Sequence, residues 1–527
     1  MKRGKFQKSK YMNMSSTAFE SGNPNSRNHE NWVKRPMSAD RAIIKEKPLI
    51  EGRLTDLIRN NGLISAGIQT TKDSIVGEKY RLQLMPSYKL MGIDIKESNK
   101  WATQVESLFN SLSDDPECFF DARRQNTFSQ ILREAIGMDL IYGESFFTRE
   151  WRPNKTGFST CWQSIAPPRV DTPFNLLGID NSINERGHEV KGGIAFDSYG
   201  EAVGYYISKK FPGENSFLGD NDYVYVPKYN EYGWLNVIHI IDRKEPSQSR
   251  GVSQLAGVIN SAKLQSELQK MTIERAVANT KNAQVLTSPY PDSAILDDLS
   301  DGTDENGNSI SGLNKLESIR AKEGESYRLY DNGIAITQLL SGEKLEFLSH
   351  NLPTNDNLGF VREGHLNNAK AFGMAYEQYS GDFTHSNFAS SQMSTQIAWR
   401  FHQSKGAAVA KKLANLILRA FVDEAIVKGV LKPPTGIPYW ANRSALLNSN
   451  WIGAGRLIMD KVKGAKGSEV LLNNTLSTQQ IECAELGLDW QEVNDQRQYE
   501  EMDRIARGLN PRISEAIFIN KTEVNNE

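Results

Sequence analysis

NDNLGFVREGHLNNAKAFGMAYEQYSGDFTHSNFASSQMSTQIAWR, residues 355–400, decides how this chain is read. Leu358, Val361, Leu366, Ala369 and Phe372 recur at helical steps, so the spacing predicts a helix from Leu358 to Met374. Gly373 loosens that pattern. Tyr376–Ser391 has no sustained period and carries Tyr376, Tyr379, Gly381, Asp382, Asn387 and several serines, which is turn and loop chemistry. After Met393 an amphipathic run begins. A connection of about fifteen residues is longer than most in compact domains, so it is either functional or without fixed structure, and an ordinary surface loop stays open as the plainer reading.

The run beyond the loop extends to about Gly429 on Ile397, Phe401, Ala408, Leu413, Leu416, Ile417, Ala420, Phe421 and Ile426, and Lys432-Pro433-Pro434 stops it. Upstream lie strand-like YRLYDNGIAITQLL (327–340) and KLEFLSH (344–350). Before them, Pro289–Ser326 carries nine Asp/Glu against three Lys/Arg, with Gly302 and Gly307 at a tip. That segment reads as an acidic insertion. It follows a helix opened by Arg250-Gly251-Val252-Ser253 and striped with Leu255, Val258, Ile259, Ala262, Leu268, Met271 and Val277; over about 28 residues this helix is roughly 40 Å long. The order is long helix, acidic insertion, helix, aromatic loop, very long helix.

Residues 1–48 hold eleven Lys/Arg against four Asp/Glu and few aliphatics, a composition that cannot bury enough to order itself. We read them as a disordered basic arm, dispensable for self-association, with structure starting near Leu49. Leu54, Leu57, Ile58, Ile64, Ala66 and Ile68 predict a helix interrupted at Asn60-Asn61-Gly62. Strand-like YRLQLMP (80–86) and helices over Lys100–Leu112 and Phe128–Tyr142 follow, the last punctuated by Gly143. From 145 to 242 short β-forming runs alternate with turns such as Asp197-Ser198-Tyr199-Gly200. Downstream of the prolines, Pro438-Tyr439-Trp440 and Trp451 sit in irregular chain, then a helical zone covers Thr478–Gly508.

The 527 residues suffice for several domains, and 39% hydrophobic content with a mean hydropathy of −0.52 calls for a large polar surface. With 62 basic and 64 acidic residues the net charge is −2, so any nucleic-acid contact has to be local. Cys118, Cys161 and Cys483 are far apart, with neither metal-ligand spacing nor a disulfide framework. No apolar run is long enough to span a bilayer. There is no phosphate-cradling loop, dinucleotide fingerprint, HExxH or nucleophile elbow. His365 and His402 stand on the two helices flanking the loop, where packing roles fit them better than a ligand pair. We expect no catalysis, no metal and no cofactor.

Five ordered stretches carry a family resemblance: LTDLIRNNGLISAGIQTTKDSIVGEKYRLQ (54–83), GGIAFDSYGEAVGYYISKKFPGE (192–214), VIHIIDRKEPSQSRGVSQLAGVI (237–259), FVREGHLNNAKAFGMAYEQYSGDFTHSNFASSQ (360–392), and Trp451 with GLDWQEVNDQRQYE (487–500). Together they resemble the lambda-type portal proteins of tailed bacteriophages over about 45–505. Two departures stand out: Phe372-Gly373-Met374 replaces a small aliphatic run, and the stretch after Trp451 lacks a proline-rich approach. The resemblance implies an α+β, mainly helical portal fold of wing, stem, clip and crown regions. It implies a ring, twelve copies being the usual number, at a capsid vertex of the virion, assembled in the host cytoplasm.

On that template 49–248 is wing, 249–282 the first stem helix, 283–354 the clip, 355–375 the second stem helix and 376–392 the tunnel loop. Residues 393–472 are the long helix returning to the wing, 473–512 the crown and 513–527 a tail. The implied DNA-channel residues are Tyr376, Tyr379, Asp382, Phe383, His385, Asn387, Phe388 and Lys370. Asp297, Asp298, Asp301, Asp304 and Glu305 of the clip would meet partners. The implied partners are double-stranded DNA, terminase, major capsid and scaffold proteins, and head-tail connector proteins, without a membrane. The rival readings are a ring-forming connector or scaffold component with no DNA channel, and an enzyme such as a nuclease.

Overall fold

The computed structural model describes residues 36–176, 183–214, 223–280, 284–287, 302–303, 309–310, 330–331, 334–335, 344–347, 355–384, 386–458 and 460–509. The chain divides into two compact units, one made of the residues up to Ile259 and from Asn368 onward, the other of Asn260–Asn367.

The first unit opens with α1 (Ala39–Asn60) and α2 (Gly62–Ile75). Asn61 separates them as the sequence predicts. Its amide donates to the Leu57 carbonyl at the end of α1, and its side chain accepts from the Ile64 amide at the start of α2. Structure starts ten residues earlier than the composition suggests. Ser38 caps α1, and Pro48 lies within that helix. Lys47, counted above in a solvated arm, is 5% exposed. Its ammonium helps tie the segment down: it pairs with Glu51 at 2.8 Å and Glu144 at 3.1 Å and donates to the carbonyls of Tyr142 and Gly251. Helix α1 thus takes up the last ten residues expected in the arm, and a truncation meant to spare the fold has to stop before Ser38. Residues 1–35 lie outside the described residues.

Next come β1 (Arg81–Leu84), α3 (Tyr88–Met91), α4 (Ile95–Ser113) and α5 (Phe128–Tyr142). Thr127 and Gln130 form a reciprocal capping box at the start of α5, and Gly143 ends it in the left-handed region. The β-rich segment forms two antiparallel sheets. One has the order β3 (Thr160–Ile165), β2 (Glu144–Trp151), β8 (Val237–Ile241). The other runs β4 (Glu189–Lys191), β5 (Ile194–Phe196), β6 (Ala202–Ser208), β7 (Tyr223–Pro227). Phe146, Ile165, Val170, Ile194, Tyr205, Ile207 and Val237 form a buried cluster drawn from both sheets.

The chain leaves β8 through a 3₁₀ turn, Gln254–Val258, into α6 (Ile259–Thr280), so the predicted helix starts later than Arg250. In the second unit α6 and α7 (Asn355–Phe372) lie side by side. Gln265 donates to the Val361 carbonyl at 2.7 Å, and its side chain fills the space that a Cβ on Gly364 would take. Gln284–Thr287 pairs antiparallel with Lys344–Phe347.

Back in the first unit come α8 (Tyr376–Ser380), α9 (Phe388–Gly406) and α10 (Lys412–Val427), the last two joined without a break through a π-helical turn at Ala407–Lys411. Gly429, in the left-handed region, ends this run before the prolines are reached. α11 (Tyr439–Leu446) follows, then strand Ser449–Ile452 pairs with β1. Three helices close the unit: α12 (Lys461–Asn473), α13 (Gln479–Glu485) and α14 (Trp490–Ala506). The sequence reading missed α12, whose Gly464, Gly467 and three lysines give it no clear apolar stripe.

An aromatic cluster centres the first unit. Phe109 meets Phe128, Phe120, Phe421 and Trp451 at ring separations of 5.0–5.7 Å, and Trp451 stacks on Tyr80. It draws together α4, α5, α10 and the strand after α11, residues more than 300 positions apart. The observed class is α+β, mainly helical.

Candidate channel segment and assembly surface

The segment that opened the reading is a folded corner with two left-handed glycines. Gly373 (φ +70°) ends α7, where any side chain would run into the Phe401 ring. Gly381 (φ +71°) ends α8. Between them Tyr379 is 6% exposed and stacks on Phe372, ring centres 5.8 Å apart; Phe372 itself covers Gly67 of α2. Burial pushes the Tyr379 phenol up to about 12. The expectation that Tyr379 lies on an accessible loop is corrected here: its ring is part of the protomer's core.

Asp382 organises the turn. Its carboxylate accepts from the Tyr376 hydroxyl at 3.3 Å and from both the amide and hydroxyl of Thr384. Asn387 caps α9, exchanging hydrogen bonds with Ser390. Their side-chain chemistry is thus engaged in shaping the corner. Phe383 and Phe388 are 60% and 55% exposed, and Lys370 is exposed in the last turn of α7. His385 lies outside the described residues, as do Asp297, Asp298, Asp301, Asp304 and Glu305. His402 is buried, and the Phe372 carbonyl is a hydrogen-bond partner for its ring; burial lowers its proton affinity.

Behind this corner a groove of about 520 Å³ runs between α9 and the C-terminal helices, with Phe383, Phe388 and Trp399 on one side and Leu457, Leu471 and Leu486 on the other. Arg456 and Glu485 pair at 3.3 Å in its wall, and Asp460, Lys463 and Glu482 also line it. Among the described residues no group of three or more His, Cys, Asp or Glu is placed to hold a metal, and no helix is long and apolar enough to cross a membrane.

A second constellation was invisible in the sequence. Glu144, the first residue of β2, is fully buried and accepts from Arg250 at 2.7 and 2.8 Å, from the Gly251 amide at 2.8 Å and from Lys47 at 3.1 Å; His239 sits 3.1 Å away. Arg250 spends its remaining donors on the carbonyls of Val170, Gly192 and Pro167. Every partner is satisfied, as a buried charge requires. Burial opposes ionisation of Glu144, but Arg250 and Lys47 outweigh it and hold the carboxyl well below the usual range. For His239 burial wins over the neighbouring carboxylate, whose charge two other cations already balance, so the imidazole stays neutral. The network fastens α1, both sheets and the chain leading into α6. Its members lie up to 204 positions apart; His239, Arg250, Gly251 and Gly192 fall in stretches the sequence singled out, whereas Glu144 at the centre does not.

The C-terminal helices differ in kind. α12, α13 and α14 are each capped, by Asp460, Thr478 and Asp489, yet none contains a buried residue. Val462, Val470, Leu476, Tyr499, Met502 and Ile505 are between 56% and 76% exposed. Exposed apolar side chains gathered in contiguous patches are typical of association surfaces.

The family model described as "Phage portal protein, lambda family" matches residues 25–404. The chain is 28% identical to the portal protein of Escherichia phage N15 over 486 residues, covering 91% of this chain and 89% of that protein. It is 27% identical to portal protein B of Escherichia phage lambda over 487 residues, covering 91% and 88%. A solved structure, the neck of an empty gene transfer agent particle, aligns over 87% of this chain and 94% of its own at 11% identity, with a TM-score of 0.45. With the family model spanning well over half of its length, the chain belongs to the lambda family of phage portal proteins.

Proposed function

We propose that copies of this portal protein, twelve in the usual case, close into a ring at one capsid vertex, and that duplex DNA passes through the ring during packaging and ejection. In this reading α6 and α7 are the stem, the residues between them form the clip that docks terminase and the head-tail connector, and α13 and α14 belong to the crown. The observation that carries the assembly is the set of C-terminal helices, capped at every N-terminus and without a fully buried residue in the protomer. A helix is stabilised in a protein chiefly by packing its apolar face. These faces therefore call for neighbouring copies.

The corner at 370–388 supplies the DNA-facing surface. With Tyr379 inside, the groups left to meet DNA are Lys370, Phe383, Asn387 and Phe388. One exposed cation per copy, close in sequence to the Asp382 and Glu377 carboxylates and to exposed polar and aromatic groups, suits a polyanion that must slide. Each phosphate contact is weak and salt-sensitive, and the ring repeats it. The near-neutral chain agrees with this. The basic N-terminal arm, shortened by the structured start at Ser38, remains available to scaffold, capsid or DNA.

Imaging of the purified particle tests the reading: a closed ring with a central hole wide enough for a duplex is expected. A Lys370→Glu ring of normal size that retains less DNA would support the channel assignment. Rings of this variant that package and retain DNA as the parent does would remove Lys370 from the channel.

A further inference from the structure

A cleft of about 420 Å³ lies between the sheets and α10, within the first unit, and shares no lining residue with the corner at 370–388. Six cations line it: Arg149 of β2, Lys228 after β7, Arg243 after β8, Lys412 and Arg419 of α10, and Arg443 of α11. Lys412, Leu416, Arg419 and Asp423 recur at steps of four, three and four, so one face of α10 is turned to the cleft.

The two carboxylates in the lining, Glu201 and Asp423, are already engaged. Glu201 pairs with Lys228 at 2.7 Å. Asp423 accepts from Arg443 at 3.0 Å and from the Tyr439 hydroxyl at 2.8 Å. Arg149 lies over the Trp234 ring, 4.4 Å from its centre, and donates to Thr160 at 2.8 Å. Arg243 is held by a bond from its Nε to the Gln248 carbonyl at 2.9 Å. Among the described residues Arg243, Lys412 and Arg419 form no ion pair. The balance is the reverse of that around Glu144, where one buried carboxylate is matched by its cations. Here like charges converge: burial, Arg243 and Lys228 together lower the proton affinity of Lys412. Crowded like charges cost the folded chain stability, and a cleft lined by one sign concentrates ions of the other.

We propose that this cleft binds a phosphate group, carried either by a DNA backbone outside the channel or by free phosphate or nucleotide. Six cations against two carboxylates call for an anion of more than one charge. A phosphate monoester carries about two at neutral pH, and a DNA backbone repeats its charge at every nucleotide. Two of the three unmatched cations are arginines, whose planar fork matches phosphate oxygens in pairs. The volume falls within the range of small-ligand sites. All of these residues come from one copy, so the site does not depend on the ring.

The test uses the full chain, with pyrophosphate as the free-ligand probe and a labelled DNA duplex as the backbone probe. Pyrophosphate is expected to raise the unfolding temperature of the parent. Lys412→Gln with Arg419→Gln should weaken its binding, read by titration calorimetry, by at least about tenfold. Should the double variant unfold early, Lys412→Gln alone, at an exposed position, carries the test with a weakening of at least about threefold. Loss of duplex binding in the same variant, with a salt slope reduced by about one for each cation removed, assigns the site to backbone phosphate. Duplex binding equal to the parent's, with pyrophosphate binding lost, assigns it to free phosphate or nucleotide. A parent that binds neither probe overturns the proposal, and so does binding of both that the substitutions leave unchanged. A cleft that takes a glutamate-rich peptide in preference to pyrophosphate also overturns it, because the occupant is then an acidic protein segment.

Discussion

The sheet-and-helix body around Phe109 and the three helices after Asp460 are built from the same kinds of residue, but they reach stability differently. In the body every large apolar side chain near Phe109 is buried, and the charges taken inside are paired several times over, as at Glu144. In α12–α14 the local rules of helix formation are obeyed, with three N-caps and turn residues in place, while no side chain is buried. One region completes itself in a single copy. The other has its backbone specified locally and fully buries no residue in a single copy. An assembly protein gains from this division, because the body holds its shape before and after copies associate.

The most severe way to break the comparison is to open the body's network. Glu144→Ala leaves Arg250 and Lys47 buried without their shared carboxylate, and the expected loss is about 3–5 kcal/mol, read by urea denaturation of the dissociated protein. A loss under about 1 kcal/mol would mean the network is not what fastens α1 to the sheets.

A pH series probes the same place more gently. The proton affinity of His239 is lowered in the folded state, so the unfolded chain takes up the proton first. The stability it contributes is complete above about pH 6.5 and declines as pH falls below that value. Glu144, also lowered, adds a separate decline that begins only below about pH 4.5. His239→Gln should flatten the upper window and leave the lower one. An unaltered profile between pH 5 and 6.5 would contradict the assignment of a neutral imidazole.

In the C-terminal region the expected effects are smaller and local. Asp460→Ala removes the side chain that accepts from the Val462 and Lys463 amides and should cost α12 about 1 kcal/mol. Amide exchange should speed up over 461–473, with the body's unfolding midpoint unmoved. Met502→Ser is the mildest of the four: it should alter the stability of the isolated protomer by less than about 0.5 kcal/mol, as at an ordinary surface position, while weakening association. A large loss of protomer stability would show that α14 is packed within its own chain.

The parts of the fold written in local chemistry were legible in the sequence. Asn61 between two helices, the span Phe128–Tyr142 with Gly143 behind it, and the long run into α10 all rest on spacing and punctuation. What escaped depends on partners distant in sequence. Lys47 looks solvated until Glu144 and the Gly251 carbonyl come to it, so the basic composition of the first 48 residues concealed a helix. Tyr379 sits in a stretch with no period, and only the approach of Phe372 shows that its ring is interior. The small, basic sequence of α12, with Gly464, Gly467 and three lysines, gives no helical stripe, and none of its residues is fully buried. At the candidate channel site, exposure separates Lys370, Phe383, Asn387 and Phe388 from Tyr379, and exposure is a property of the folded chain.

Hydrogen exchange compared between assembled and dissociated protein tests the division most directly. Assembly is expected to slow exchange over 461–506 by at least about tenfold and to leave 128–151, within the body, unchanged. Equal exchange over 461–506 in the two states, or protection gained throughout the body on assembly, would contradict it.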